Sequence, residues 1–435
     1  MKLKIYIHVI TLVLIFTVSS AESFQATFTP RISVSEEYTN NYSQADQNNE
    51  DEFITLISLG FTAGLLGKTR GLEISYDPSF AYYNEFDENN TGRHHANFSG
   101  FTEITKNTRL DISDTFSWTE DPTPEENIAV LRTEQPEAQI DTTIRRGRNS
   151  YATNSAGLNF TYRFGESSSI NMGYAHRFLE NDDPTIADTQ AHNPSIGFTY
   201  FFTPRWGLNA GGAYTRNEYE IADDIEAWSG SGRLTRQFSR HFYGYVGYAH
   251  TVTKYDGETQ DDLIYNPSIG INYSVAEDIS LSFDIGYFVN EYELREDESG
   301  LTGNAGLIKR FRRGSVNLSG LGGYEYANFG AERLGFSLFY EAAVSVNYQI
   351  TRYFSGNIFG SFRNNQYKDI TPEREDDSIM TGLGLTIQPL QWMSIGINYN
   401  YRQLDSTIDQ SDYASNRVSV RVTLSPSQPF RTSRY

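Results

Sequence analysis

Cysteine is absent from all 435 residues, which rules out a disulfide framework, a thiol nucleophile, a cysteine-built zinc site and a lipidated cysteine at a mature N-terminus. Long apolar runs are scarce as well. The longest, Ile5 to Val18, has fourteen residues interrupted by His8 and Thr11, short of the ~20 that a spanning helix needs, and no later stretch comes closer. Positive charge is in the minority: 35 Lys and Arg face 55 Asp and Glu, a net charge of −20, which argues against a nucleic-acid partner. What is abundant is Tyr (30), Phe (28) and Gly (35), in a chain whose mean hydropathy is only −0.51. Aromatic strand formers in a chain that is hydrophilic on average suit a large antiparallel sheet with one apolar and one polar face.

The start of the chain reads as an export signal. Lys2 and Lys4 precede the apolar run, and Ser19-Ser20-Ala21 supply the small residues of a cleavage site. Residues 1–21 are therefore expected to be removed, leaving 22–435 as a single domain. Only a few residues then separate the cleavage point from Phe28, which argues against a plugged, energy-coupled transporter.

Two stretches repeat one phrase 73 residues apart, NPSIGFTYFFTPRWGLNAGGAY from Asn193 and NPSIGINYSVAEDISLSFDIGYF from Asn266. In the first copy Ile196, Phe198, Tyr200 and Phe202 share one parity, and after Thr203-Pro204-Arg205 the alternation resumes at Leu208. The second copy runs Ile269, Ile271, Tyr273, Val275, then turns into Ile279, Leu281, Phe283, Ile285, Tyr287. Period two means strands, so each copy is a hairpin. The rest of the chain parses the same way, for example Val316, Leu318, Tyr324, Tyr326, and then Leu334, Phe336, Leu338, Tyr340, Val344, Val346, Tyr348. Nine short turns join eighteen strands, and one strand at each end makes twenty, spanning about residues 28–424, with eighteen as the smaller alternative.

The connections fall into two populations. Short ones are often basic (GKTRG, KNT, TPR, SRH, FRRG), whereas long ones are acidic (QADQNNEDE, LENDDPTIADTQ, YDGETQDD, LDSTIDQSD). Strict alternation of short and long places every second strand end on the same side of a boundary. That is the pattern of a transmembrane antiparallel up-and-down β-barrel, with short periplasmic turns and longer extracellular loops. A propeller of four-stranded blades shares the 73-residue offset, but its mixed burial pattern and closing motif are missing.

The stretches TPRISVSEEYTNNY, DEFITLISLGFTAGL, GLEISYDPSFAYYNEF and RHHANFSGFTEITKNTRLDISDTFSWTEDP resemble the N-terminal half of the β-barrel porin type 2 family. The resemblance implies a Gram-negative outer-membrane barrel, of a kind considered alongside extracellular polysaccharide export. One departure is the tail of residues 425–435 after Leu424, since such barrels usually end on an aromatic residue of the last strand. Either Tyr435 serves that role or the last strand runs further.

Parity assigns the opposite face to the lumen. Candidate pore-lining residues are Arg31, Glu73, Asp77, Glu103, Asp111, Arg163, Arg177, Asp284, Glu341, Arg363, Arg402, Arg417 and Arg421. Closure of the first strand on the last would bring Arg31, Arg417 and Arg421 to one wall, with Glu73, Asp77 and Asp111 a few strands away. Such opposed charges set up a transverse field in a wet pore, unless they are interior ion pairs that stiffen the wall. The longest loop, Thr119 to Asn149, holds Thr123, Pro124 and Glu126 in the pattern of a helix start, with Arg145, Arg146 and Arg148 beyond it. The expectation is that it folds inward as a constriction, its arginines meeting interior carboxylates; the alternative is an outward surface loop.

No catalytic set, metal site or cofactor site emerges. The acidic loops are ordinary solvated turns, and His94 with His95 offers only a remote hydrolase reading. The expected partners are outer-membrane lipid and lipopolysaccharide, together with polysaccharide and export-system proteins if the chain is a conduit. The functional readings are a porin-like channel, for polysaccharide export or solute diffusion, and a non-conducting barrel that anchors polymer through its loops.

Overall fold

The computed structural model describes residues 23–46, 49–122, 148–220, 223–257, 260–327, 334–408 and 411–434. The expected signal segment and the loop residues Thr123, Pro124, Glu126, Arg145 and Arg146 lie outside them. Strands dominate: β1 (Phe24–Thr39), β2 (Glu52–Leu66), β3 (Arg70–Tyr76), β4 (Ser79–Tyr83), β5 (Thr91–Thr105), β6 (Thr108–Thr119), β7 (Tyr151–Arg163), β8 (Ser169–Asn181), β9 (Thr189–Thr203), β10 (Trp206–Tyr219) and β11 (Ile225–Ser239) form the first half. The second half comprises β12 (Phe242–Tyr255), β13 (Asp262–Ala276), β14 (Ile279–Tyr292), β15 (Glu298–Phe311), β16 (Gly314–Ala327), β17 (Gly335–Thr351), β18 (Phe354–Tyr367), β19 (Arg374–Leu390), β20 (Met393–Ser406), β21 (Tyr413–Leu424) and β22 (Phe430–Arg434). A short 3₁₀ turn lies at Asp87–Asn89.

These segments occupy twenty positions in one closed antiparallel wall. β3 and β4 are halves of a single strand interrupted at Asp77-Pro78, and both pair with β2. Proline cannot donate to the ladder, so the strand breaks there while the Pro78 carbonyl still accepts from the Leu59 N–H at 3.1 Å. β21 and β22 are likewise halves of the last strand, separated by a segment that contains Pro426 and Pro429. β1 closes the barrel on both, from Ile32↔Leu424 to Thr39↔Arg417 and from Phe24↔Arg434 to Phe28↔Phe430. The chain beyond Leu424 thus continues the last strand.

Nine turns of two to five residues lie at one end and loops of five or more residues at the other, as the alternation of connections predicts. Outward residues are large, apolar and exposed, among them Leu59 (63 %), Ile269 (57 %) and Ile285 (41 %), which is the surface a barrel turns to lipid. Aromatic residues ring both ends of that band. Phe164, Phe198 and Tyr200 stack near the turns, and Tyr76, His94 and Trp118 pack together near the loops, as do Tyr214 and Trp228. Inward positions are mostly small or polar, as in Asn159, Gly173, Ser195, Ala213 and Ser229, which pair one with the next across β7 to β11.

One stretch departs from the alternation. Tyr324, Tyr326, Leu334, Phe336 and Leu338 are expected on the lipid face. Instead Phe336 is fully buried inside the barrel against Phe288 and Ile264, with Tyr324, Tyr326 and Leu338 packed round them. The reason lies in the ladder: β16 pairs with β15 only as far as Gly322↔Gly303. Beyond that point β16 parts from β15, and the end of the β16–β17 hairpin, still laddered to β18 through Ser337↔Tyr367, leans into the lumen.

Candidate functional site

Within the wall lies a cavity of about 1670 Å³ that reaches from Gln25 and Leu66 near the turns to Thr253 and Tyr326 near the loops. Glu73, Asp111, Arg177, Asp284 and Glu341 line it. Side-chain pairs such as Thr161–Asn171, Thr199–Asn209 and Thr215–Asn193, at 2.8–3.0 Å, give much of its surface an amide and hydroxyl character. No Asp or Glu among the described residues faces the lumen from β7 through β12, because every acidic residue in those strands falls on the outward parity.

The remaining lumen candidates resolve into local pairs and rim positions. Arg31 and Asp77 form a direct ion pair across β2. Gly60 sits beneath that pair; a Cβ there would lie 3.0 Å from Arg31 Nε and closer still to Asp77, so only glycine leaves room for it. Arg363 joins Glu325 and, at 3.3 Å, Glu341, and lies over the Phe339 ring. Arg402 sits half-buried near Tyr413 and Arg417. Glu103, Arg163 and Arg421 are exposed, the first two at the turn-end rim. Arg31 and Asp77 therefore neutralise each other rather than face each other across the pore, and Arg417 is engaged in a cluster of its own.

That cluster fills part of the loop-end mouth. After β6 the chain turns inward so that Asp121 meets Arg417 on β21, several strands round the wall, in a two-pronged pair at 2.9 and 3.1 Å. Arg417 Nε also lies 3.1 Å from Glu37 on β1. Arg93 on β5 donates to Glu120 at 2.9 Å and stands 3.8 Å from Asp121. From the other end of the same loop, Arg148 approaches Asp121 at 4.0 Å, donates to the Tyr42 carbonyl at 3.2 Å, and stacks over the Tyr42 ring. All six charged side chains are at most 14 % exposed. Burial alone would raise the Asp121 pKa, but the guanidiniums of Arg417, Arg148 and Arg93 outweigh it and hold the carboxyl well below the usual range. Burial pushes the Tyr42 phenol up to about 12.

Beside the cluster, Tyr42 from the β1–β2 loop covers Ile54, Leu56, Ala81 and Tyr83 on the inner wall and stacks on Phe86. Glu52, read from the sequence as part of a solvated acidic loop, is instead buried. Its carboxylate accepts the backbone N–H groups of Phe53, Asn84, Glu85 and Phe86 at 2.8–3.2 Å, fixing the β4–β5 loop.

The second inward element is the end of the β16–β17 hairpin. The Tyr326 hydroxyl donates to Asp262 on β13 and accepts from Thr253 on β12, three and four wall positions away. Asp369, in the β18–β19 loop, accepts the Phe336 N–H at 2.6 Å and the Arg295 guanidinium at 2.7 Å. Gly335 precedes Phe336 with φ +70°, and a Cβ there would strike the Asp369 side chain. Sequence reading named Arg148 and Arg417 and expected their loop to turn inward, but it missed the other cluster members and the inward hairpin. Parity alone would have found Glu37 and Arg93, which share the inward series of Ser35 and His95. The glycine-dense run Gly320, Gly322, Gly323 was the available sign of a bend.

A closed antiparallel wall of twenty strands, apolar outside and polar inside, matches one class of solved structure. The fold is that of an outer-membrane β-barrel. The iron transporter FrpB of Neisseria meningitidis aligns over 92 % of this chain and 82 % of its own, with a TM-score of 0.57 at 10 % identity. The ferric enterobactin receptor PfeA of Pseudomonas aeruginosa aligns over 94 % and 81 %, with a TM-score of 0.51 at 8 % identity. The copper transporter OprC gives 0.52 at 8 % identity over 92 % and 81 %. At these identities the outer-membrane barrels share the fold alone. Residues 326–425 of the barrel match the family described as "Putative beta-barrel porin 2". This is the family resembled by the N-terminal phrases, yet the matched region lies at the other end of the chain. No curated protein matches the sequence.

Proposed function

We propose that the protein is a porin-like channel of the bacterial outer membrane, reached after loss of residues 1–21, which passes a hydrophilic solute or serves as the outer conduit for an extracellular polysaccharide. The observation that carries this reading is the cavity of about 1670 Å³, with many Asn, Ser and Thr in its lining, enclosed by a wall whose outer face is apolar. Its Asn, Ser and Thr lining offers donors and acceptors in the neutral pattern that hydroxyl-rich solutes match, and the family resemblance supports an export role. Lipid and lipopolysaccharide are the natural surroundings of the aromatic rings. A catalytic role has less support, since His94 stacks among Tyr76 and Trp118 on the outward side.

Reconstitution of the purified barrel in planar bilayers tests the channel. Discrete conductance steps, larger in Asp369→Ala or in a variant lacking residues 123–146, are expected. A folded protein that stays silent in every such variant would instead indicate a barrel that anchors polymer. N-terminal sequencing of protein from outer-membrane fractions should begin at Glu22.

A further inference from the structure

We propose that the end of the β16–β17 hairpin is a strap with two seats, one inside the lumen and one in the wall, and that Asp369 latches it in the inner seat.

The inner seat is the one described above: Phe336 on Phe288 and Ile264, Tyr326 on Asp262, and Asp369 holding the Phe336 N–H together with Arg295. The outer seat is visible as an unfilled edge. β15 runs from Glu298, but its described pairing with β16 begins only at Gly303, so Glu298 to Thr302 bond β14 on one side and no part of β16 on the other. Continuing the register past Gly303↔Gly322 places Thr302 opposite Gly323, Leu301 opposite Tyr324 and Ser299 opposite Tyr326. A Cβ on Gly323 would already lie 3.5 Å from Thr302, so four further backbone pairs, from Leu301 with Tyr324 to Glu298 with Ala327, await a strap that swings outward.

The sequence pattern fits that second seat. Tyr324, Tyr326, Phe336 and Leu338 fall on the outward parity, where Leu301 (59 % exposed) and Tyr340 (52 % exposed) already present apolar side chains, and tyrosine is favoured at a membrane interface. The alternation thus describes a strap zipped into the wall, whereas the structure shows it folded in. One sequence satisfies two arrangements, the requirement for a bistable element. The position is permissive too. The ladder parts at Gly322, level with Tyr340, the outermost exposed aromatic of β17, so the open edge of β15 lies at the rim rather than in hydrocarbon. Glycines at 320, 322 and 323 form the hinge. On the channel reading, seating the strap in the wall widens the loop-end mouth.

The absence of cysteine makes the test clean. Ser299→Cys with Tyr326→Cys creates a pair directly opposed only in the outer seat, because Tyr326 now reaches Asp262 three wall positions away, and disulfide formation reports that seat without any current being measured. Under mild oxidation of the folded, heat-modifiable barrel the bond should form slowly in the otherwise native chain and roughly tenfold faster or more when Asp369→Ala or Arg295→Gln removes the latch. Arg295→Gln serves if Asp369→Ala does not fold. No disulfide in any folded background would overturn the two-seat strap, and equal rates with and without the latch would overturn the role of Asp369. A strap that moves in a barrel that never conducts would leave this proposal standing and remove the channel.

Discussion

The two elements that narrow the loop-end mouth are held by different physics. On the β1–β6 and β20–β21 side, three carboxylates and three guanidiniums are buried together, and each charge depends on the others for its compensation. On the β12–β18 side the seat is aromatic, and the hairpin end, laddered to β18 alone among its wall neighbours, is tied to the facing strands by a handful of hydrogen bonds round Asp369 and Tyr326. Opening the ionic cluster exposes unpaired buried charge, and no alternative seat is on offer. Opening the strap exposes rings that an interface tolerates, and a vacant strand edge receives it. The first is built as a fixture and the second as a moving part.

The comparison is broken most directly at Asp121. Asp121→Ala leaves Arg417, Arg93 and Arg148 without their shared carboxylate and should cost about 3–5 kcal/mol, read as a large drop in the temperature at which the barrel loses heat-modifiability. Phe336→Ala removes a fully buried ring, for which a core site would lose ~3–5 kcal/mol. Because the strap can move to its second seat, the expected result is a smaller fall in the melting temperature of the wall than Asp121→Ala produces, with faster hydrogen exchange confined to β16 and β17. A comparable global fall would make the strap a fixture as well. Arg31→Ala is the mild control: its pair with Asp77 is about 30 % exposed, so about 1 kcal/mol or less is expected.

Acid sharpens the same contrast. The Asp121 pKa is depressed in the folded protein, so its stabilising contribution is fully present above the unfolded value near 4 and is lost only as pH falls through the much lower folded value. The pairs that Asp121 makes with Arg417, Arg93 and Arg148 should therefore survive at about pH 4, where ordinary carboxylates are half protonated. Melting curves that show the loops around Tyr42 and Arg148 loosening already at pH 5 would count against that assignment.

Much of the wall was legible because its signal is local. Alternation at period two, proline in the turns and the segregation of short from long connections are properties of neighbouring residues, and they suffice to place twenty strands and to separate lipid-facing Ile269 from lumen-facing Ser268. The same parity found Arg31, Asp77, Arg363 and Arg417 as inward residues without revealing their partners.

By itself, then, the sequence determined a chain of hairpins with one wet and one greasy face. Tertiary structure alone decided what fills the interior. Asp121 and Arg417 are 296 residues apart and meet only because closing the barrel brings distant strands to a common mouth. Tyr326 reaches Asp262 only because the ladder parts at Gly322. Local pattern fixes which way a side chain points from a wall, but whether a segment stays in that wall depends on the competing seat, and that seat is built from residues far away in the chain.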